Sequence, residues 1–523
     1  MTGDELTRMR LDIGGAVGAS VLLDRLLSPT RAEAIIRSLP AEDLYRAIMR
    51  IGLEDCIELL PMISPEQFRA LLDFDAWPDD RPDISRIDPW MRTLMQSGVE
   101  ILTEKFMGLD DALINWIVRE HVHVDVIEDP DSFVPPEGDT ITTQDNRMCL
   151  SFRGRGDGEL PVKVLLDWLM RVQPEYCYNL LVFSAAALDS HLEEEAYRWR
   201  SGRMADLGFV DPIEALGLYT VPRRGEIAAI REQAPQASPG DAPWLSPIVS
   251  ADSRLHQALA ALDKRTRAAV TEELAYVCNT ALSADRVALW DTPATLRVME
   301  RVRAGLALGL DALGAGPEDD RRVLTEHPVA LIFRTGYART LDAAEAARRA
   351  RRRGLLAGKE GPDKSPIDAV DAPALRLIVA AMTSRHPQMG DGRTPSTADD
   401  LQVLRTYGGL IEDLVDFPGD VRPDATGLCA WRLTRIARDL IGLEGQGALP
   451  ITTIPIVHGA LFADGRVTDA ARSAAHSAWL RLGGKRAATI DYLLDLAALE
   501  LAAVAPAEVD PRAVSMLVFD LAF

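Results

Sequence analysis

Lysine is nearly missing from this chain, with only Lys105, Lys163, Lys264, Lys359, Lys364 and Lys485 in 523 residues. Arg therefore carries the positive charge, which together with the Ala excess reads as a coding bias and not as a recognition surface. Aromatics make up 6%. The apolar mass is Ala, Leu, Ile and Val, which suits packed helices better than a β-sandwich. Cys56, Cys149, Cys177, Cys278 and Cys429 are scattered without a CxxC pair, and this excludes a disulfide framework or a zinc finger. The longest near-apolar run, YCYNLLVFSAAAL (176–188), contains Asn179 and is shorter than the ~20 residues of a membrane span. It reads as a buried helix, and no membrane insertion is expected. The opening MTGDELTRMRLDIGG has no signal-peptide pattern, so the expected location is cytoplasmic. No GxxxxGK[ST] loop, strand-borne GxGxxG or GxSxG elbow is present. The net charge of −22 repels polyanions, so nucleic acid is not an expected partner.

What is present is a repeat. Units starting at Pro29, Ala41, Leu53 and Pro65 read PTRAEAIIRSLP, AEDLYRAIMRIG, LEDCIELLPMIS and PEQFRALLDFDA. The residues three, six and seven places in are Ala32, Ile35 and Ile36, then Leu44, Ala47 and Ile48, then Cys56, Leu59 and Leu60, and finally Phe68, Leu71 and Leu72. That spacing lies on one helical face. Glu42, Glu54 and Glu66 stand where a negative charge complements the helix dipole, and Ser28–Pro29 and Ser64–Pro65 supply caps. Each unit is predicted to be a short helix that stacks on its neighbours as a superhelix.

The LPxEDL and SPEQ junctions resemble the cytoplasmic N-terminal domain of bacterial MgtE-type magnesium transporters, over residues 20–125. The resemblance implies a helical superhelix that senses magnesium, with Glu42, Asp43, Glu54, Asp55 and Glu66 as the acidic positions. Transport is not implied, since neither a spanning stretch nor a CBS-type sequence is seen. The stretches LLDFDAWPDDR (71–81), EEEAYRWRSGRMADLGFVDPIEALGLY (193–219) and LIFRTGY (331–337) are similar to an uncharacterised bacterial family, a domain of unknown function spanning most of the chain. That likeness implies no activity.

The fold class is mainly α. A helical-repeat superhelix is expected over 1–128, then an α+β region over 129–221. Just before that region VHVDVIED (122–129) reads as a short strand, and within it DTITTQDNRMCLSFRGRG (139–156) as a hairpin turning at Asp145–Asn146. A Pro/Ala/Gly-rich linker (222–247) precedes a helical C-terminal domain (248–523), with a flexible connection at 351–372.

His121 and His123 on one strand would face the same side with Asp125, a metal-ligand pattern that a metal-dependent hydrolase could use; a polar edge strand is the plainer reading. His191, Glu194 and Glu195 share about one helical turn and could ligate a metal; equally, Glu194 with Arg198 and Glu195 with Trp199 stand at i,i+4, so an ion-paired helix is expected. Tyr197, Arg198, Trp199, Arg200 and Arg203 form the densest Arg–aromatic group, which suits either an internal network or an interface. The run AARRARRRG (346–354) fits a helix end capped by Gly354. No enzyme motif is seen, so a scaffold or regulatory adaptor that binds another protein is expected, with no cofactor beyond magnesium. Magnesium sensing and metal-dependent hydrolysis are the alternatives.

Overall fold

The computed structural model describes residues 9, 12–13, 18–28, 32–78, 80–129, 131–143, 145–153, 160–228, 254–353, 370–417 and 426–521. Within them the protein is mainly helical, with a few small strands. None of the described helices is long and apolar enough to cross a membrane. The chain divides into two compact units. Residues 1–220, 231–302 and 324–330 make one, and 221–230, 303–323 and 331–523 the other.

In the first unit α1 (Ala19–Leu27) precedes α2 (Ala32–Ser38), α3 (Ala41–Ile51) and α4 (Pro65–Asp75). All twelve repeat positions named above are buried. The unit starting at Leu53 departs from its neighbours, because two 3₁₀ turns, Leu53–Cys56 and Leu60–Met62, stand where a helix is predicted. Pro61 explains this, since a helix through it would lose an amide donor and press its ring on the carbonyl of Ile57. Side chains from elsewhere satisfy the carbonyls. Ser97 Oγ donates to Ile57 O (2.9 Å), Arg37 Nε to Met62 O (3.2 Å) and the buried Lys105 Nζ to Ile63 O (2.6 Å). Ser64 and Gln67 form a capping box at the start of α4. The Gln67 amide also donates to Ile36 O (2.9 Å) and Leu39 O (2.8 Å), tying α4 to the end of α2. The cap predicted at Pro29 lies outside the described residues.

Three further helices follow, α5 (Ile84–Gln96), α6 (Val99–Met107) and α7 (Asp111–His121). An antiparallel sheet of β1 (Val122–Val126), β2 (Thr140–Thr142) and β3 (Met148–Phe152) has the order β1-β3-β2. The hairpin turns where expected, with Asn146 left-handed at φ 53°. Next come α8 (Pro161–Val172), α9 (Pro174–Ala186) and α10 (Asp189–Asp206). The apolar run in α9 is buried on one side only. Cys177, Leu180 and Leu181 face inward, while Val182 and Phe183 are 43% and 53% exposed.

Residues 254–302, expected in a single C-terminal domain, pack with this first unit. The helices here are α11 (Arg254–Ala260) and α12 (Lys264–Asp285). Asn279 Nδ2 donates to Leu207 O (2.6 Å) and Thr280 Oγ1 to Gly208 O (3.1 Å). Gly208 sits at φ +85°, where a Cβ would lie 2.9 Å from Tyr276 O. These bonds fill the turn that ends α10 and hold α12 against it.

The second unit takes in the C-terminal half of α13 (Thr292–Leu313), α14 (Asp320–Glu326) in part, and most of α15 (Val329–Ala343). Here α13 and α15 meet backbone to backbone, for a Cβ on Gly336 would lie 1.9 Å from Gly305 O and one on Gly309 2.0 Å from Ile332 O. Then follow α16 (Glu345–Arg352), α17 (Pro373–Thr383), α18 (Ala398–Val415), α19 (Leu428–Leu440), α20 (Ile454–Leu461), α21 (Asp469–Arg481) and α22 (Ala487–Leu501). Leu433, Ile436, Trp479, Leu493 and Leu494 are central to their core. Two-residue strand pairs, Leu449–Pro450 with Phe519–Asp520 and Phe462–Ala463 with Arg466–Val467, were not predicted. Of the expected linkers, 229–247 and 354–369 lie outside the described residues, as does Gly354; a short helix, Arg224–Ala228, stands at the start of the first.

Candidate functional site

The Arg–aromatic group lies on α10 and splits into two sets. Arg203 and Arg200 turn inward. Arg203 Nε donates to Asp73 Oδ2 (2.7 Å) and its Nη2 to Asp73 Oδ1 (3.0 Å), a bidentate fork on α4. Its Nη1 donates to Asp110 Oδ1 (3.0 Å), just before α7. Arg200 Nε donates to Asp73 O (2.9 Å), and its guanidinium lies 5.2 Å from the Trp77 ring centroid. Tyr197 packs near the same ring at 6.3 Å. Burial pushes the Asp73 carboxyl up despite Arg203 and Arg200, and burial lowers Arg200. Burial also opposes the Arg203 charge, yet Asp73 and Asp110 raise it above its ordinary value. The sequence flagged the arginines and missed Asp73. The available signal was a carboxylate beside Leu71 and Leu72 on the buried face of a repeat, which needs a cation.

Arg198 and Trp199 turn outward. The Arg198 guanidinium lies 5.6 Å from the Trp199 ring, and that ring is 51% exposed. The expected Glu194–Arg198 pair is replaced by this stacking, and Glu193 is the acid engaged, 3.5 Å from Arg81. On α9, the helix before it in the chain, Val182 and Phe183 also face solvent.

The three residues of the metal-ligand pattern do not act together. His121 ends α7 instead of starting the strand, because the helical period of INWIVREH runs through it. It is buried, with both ring nitrogens facing acceptors, Nδ1 at 2.9 Å from Ile117 O and Nε2 at 2.8 Å from Asp88 Oδ1. His123 is exposed on β1 and bonds Asp125 Oδ1 at 3.2 Å. Of the repeat acids, Asp43 is buried, Glu54 and Asp55 are exposed on a 3₁₀ turn, and Glu66 opens α4, where its own amide and Ser64 lower its carboxyl. Among the described residues no group of three or more His, Cys, Asp or Glu is placed to hold a metal ion. The thiols are buried, and burial pushes Cys56 up to about 12 and Cys177 to about 11, so neither is a ready nucleophile.

A family described as of unknown function (DUF6178) matches residues 8–520. The chain belongs to that family. No curated protein and no solved structure matches it. These comparisons give no support to the magnesium-transporter likeness of residues 20–125.

In this family member the basic run of α16 is held internally. Arg348 Nη1 and Arg351 Nη1 donate to Ser384 O (3.1 Å) and Thr383 O (2.5 Å) at the end of α17. Arg349 lies 3.8 Å from Glu412 and Arg353 3.6 Å from Asp416, both acids on or just after α18, while Arg352 Nη2 donates to Glu345 (2.6 Å).

Proposed function

We propose that this protein is a non-enzymatic scaffold or adaptor that docks another protein on the outward faces of α9, α10 and the turns that follow. One observation carries the reading. Eight of the twenty-one large apolar side chains exposed among the described residues fall between 172 and 216, including Phe183, Leu188, Trp199 and Ile213. Such a concentration along one stretch of the chain supports an interface there, and Trp beside Arg is the pairing that interfaces favour. The Arg203–Asp73 fork fixes α10 beneath it, so the outward side chains are presented with little ordering cost.

The test is photo-crosslinking in the native host, with a photoreactive residue placed at Phe183, at Trp199, or at Glu508 as a control. The expected result is one defined adduct at the first two positions, absent at the control and lost on Trp199→Glu or Phe183→Glu. Labelling that is equal at all three positions would sink the reading.

A further inference from the structure

The outward face of α10 carries three features that its own unit does not explain. The first is Gly202, exposed in the helix, where an added Cβ would meet no neighbour within 4 Å. Glycine weakens a helix, because it has the most backbone freedom to lose. Elsewhere that weakness has a reason. Gly305 in α13 lies against the Phe333 ring, Gly309 and Gly336 against facing backbone, and Gly409 in α18 against the Arg486 side chain. Gly459 in α20 is as open as Gly202, on a helix without a carboxylate.

The second is Trp199, 51% exposed and three residues before Gly202, hence on the same side of the helix. The third is Asp206, exposed and the last residue of α10. A carboxylate is unfavourable at that end of the helix dipole. Arg203, the basic residue of the last turn, is committed to Asp73 and Asp110. Glu195, Trp199, Gly202 and Asp206 follow one another at helical spacing, so a single stripe holds acid, aromatic, bare backbone and acid. Arg198, the outward cation of α10, is occupied in stacking on Trp199.

We propose, resting on the docking reading above, that the partner presents a basic segment to α10. It approaches the bare backbone at Gly202 and sets Arg or Lys side chains on Asp206 and Glu195. A cation at Asp206 satisfies a charge that the helix end disfavours. A cation also suits the face of Trp199, and the net charge of −22 speeds the approach of a basic partner. Bulk at position 202 would hold that segment off.

The test keeps the photoreactive residue at position 199 in the native host and reads the crosslinked segment of the adduct by mass spectrometry. That segment is expected to hold more Arg and Lys than Asp and Glu. Gly202→Gln and Asp206→Lys, made separately in the same chain, should each lower the adduct at least about fivefold. Both should leave the melting temperature unchanged or higher, since helix propensity and the dipole favour them. A merely structural role for these two residues would not lower docking while stability holds. A neutral or acidic crosslinked segment overturns the proposal, and so does a parental level of adduct in a variant that melts no lower than the parent. The docking reading survives either result. Absence of any defined adduct from the parent at positions 183 and 199 removes the docking reading, and this proposal with it. The composition of the segment needs no variant, so the test holds even where one fails to fold.

Discussion

The arginines of α10 and those of α16 look alike in the sequence and do different work. The α16 run is the denser and the more suggestive of a binding motif, yet its charges meet carbonyls at the end of α17 and carboxylates of its own unit. The sparser α10 group divides, with Arg200 and Arg203 anchored inward and Arg198 outward beside Trp199. Charge density along a sequence therefore says little about availability. What decides is whether the facing elements supply acceptors. The end of α17 offers unpaired carbonyls that draw cations in, whereas the outward face of α10 offers Arg198 only an aromatic ring.

The contrast can be broken most forcefully at Arg203. Arg203→Ala leaves Asp73 buried and without its fork, and is expected to destabilise the protein by about 3 kcal/mol or more, read by urea unfolding. The loss should depend on pH. Burial already raises the Asp73 carboxyl, and without Arg203 it rises further, so in the variant the protonated form is favoured in the folded state. The folded variant then gains relative stability as pH falls and loses it as pH rises through that raised value. The deficit should be smaller at about pH 5 than at pH 7.5; an equal deficit at both would contradict the account of Asp73.

Arg351→Ala removes a charged donor from the end of α17 and should cost about 1–2 kcal/mol in the same assay. Arg349→Ala and Arg353→Ala break looser, half-exposed pairs, so losses of about 0–1 kcal/mol are expected, shrinking further in about 1 M salt. A loss as large as that of Arg203→Ala would erase the distinction between the two groups. Arg198→Ala and Trp199→Ala should change stability by no more than about 0.5 kcal/mol while abolishing the crosslinked adduct. A marked drop in melting temperature would place them with the inner set.

Much of the helical architecture was legible, and for a definite reason. In the repeat, a three-six-seven spacing of apolar residues has few ways to be satisfied except by burial, and all twelve residues are buried. The 3₁₀ turns after Gly52 were harder to see, because they depend on Pro61 together with Ser97, Arg37 and Lys105, which reach the freed carbonyls from distant positions. His121 was misread because a helix and a strand both fit its neighbourhood, and the helix continued one residue further than the strand pattern allowed. At the candidate site the arginines were legible as a cluster. Which of them turned inward was set by Asp73 and Asp110, more than ninety residues away from Arg203, a pairing that local spacing does not encode.

The interleaving of the two units carries a consequence for inheritance. Residues 231–302 and 324–330 belong with the N-terminal unit, and 221–230 and 303–323 with the other. A gene cut at the Pro/Gly-rich stretch after residue 221 would strip α12 from the end of α10, and no single breakpoint would release either unit whole. A piece cut anywhere along the chain is therefore expected to carry part of one unit with the other, and the family match runs across both, from residue 8 to residue 520.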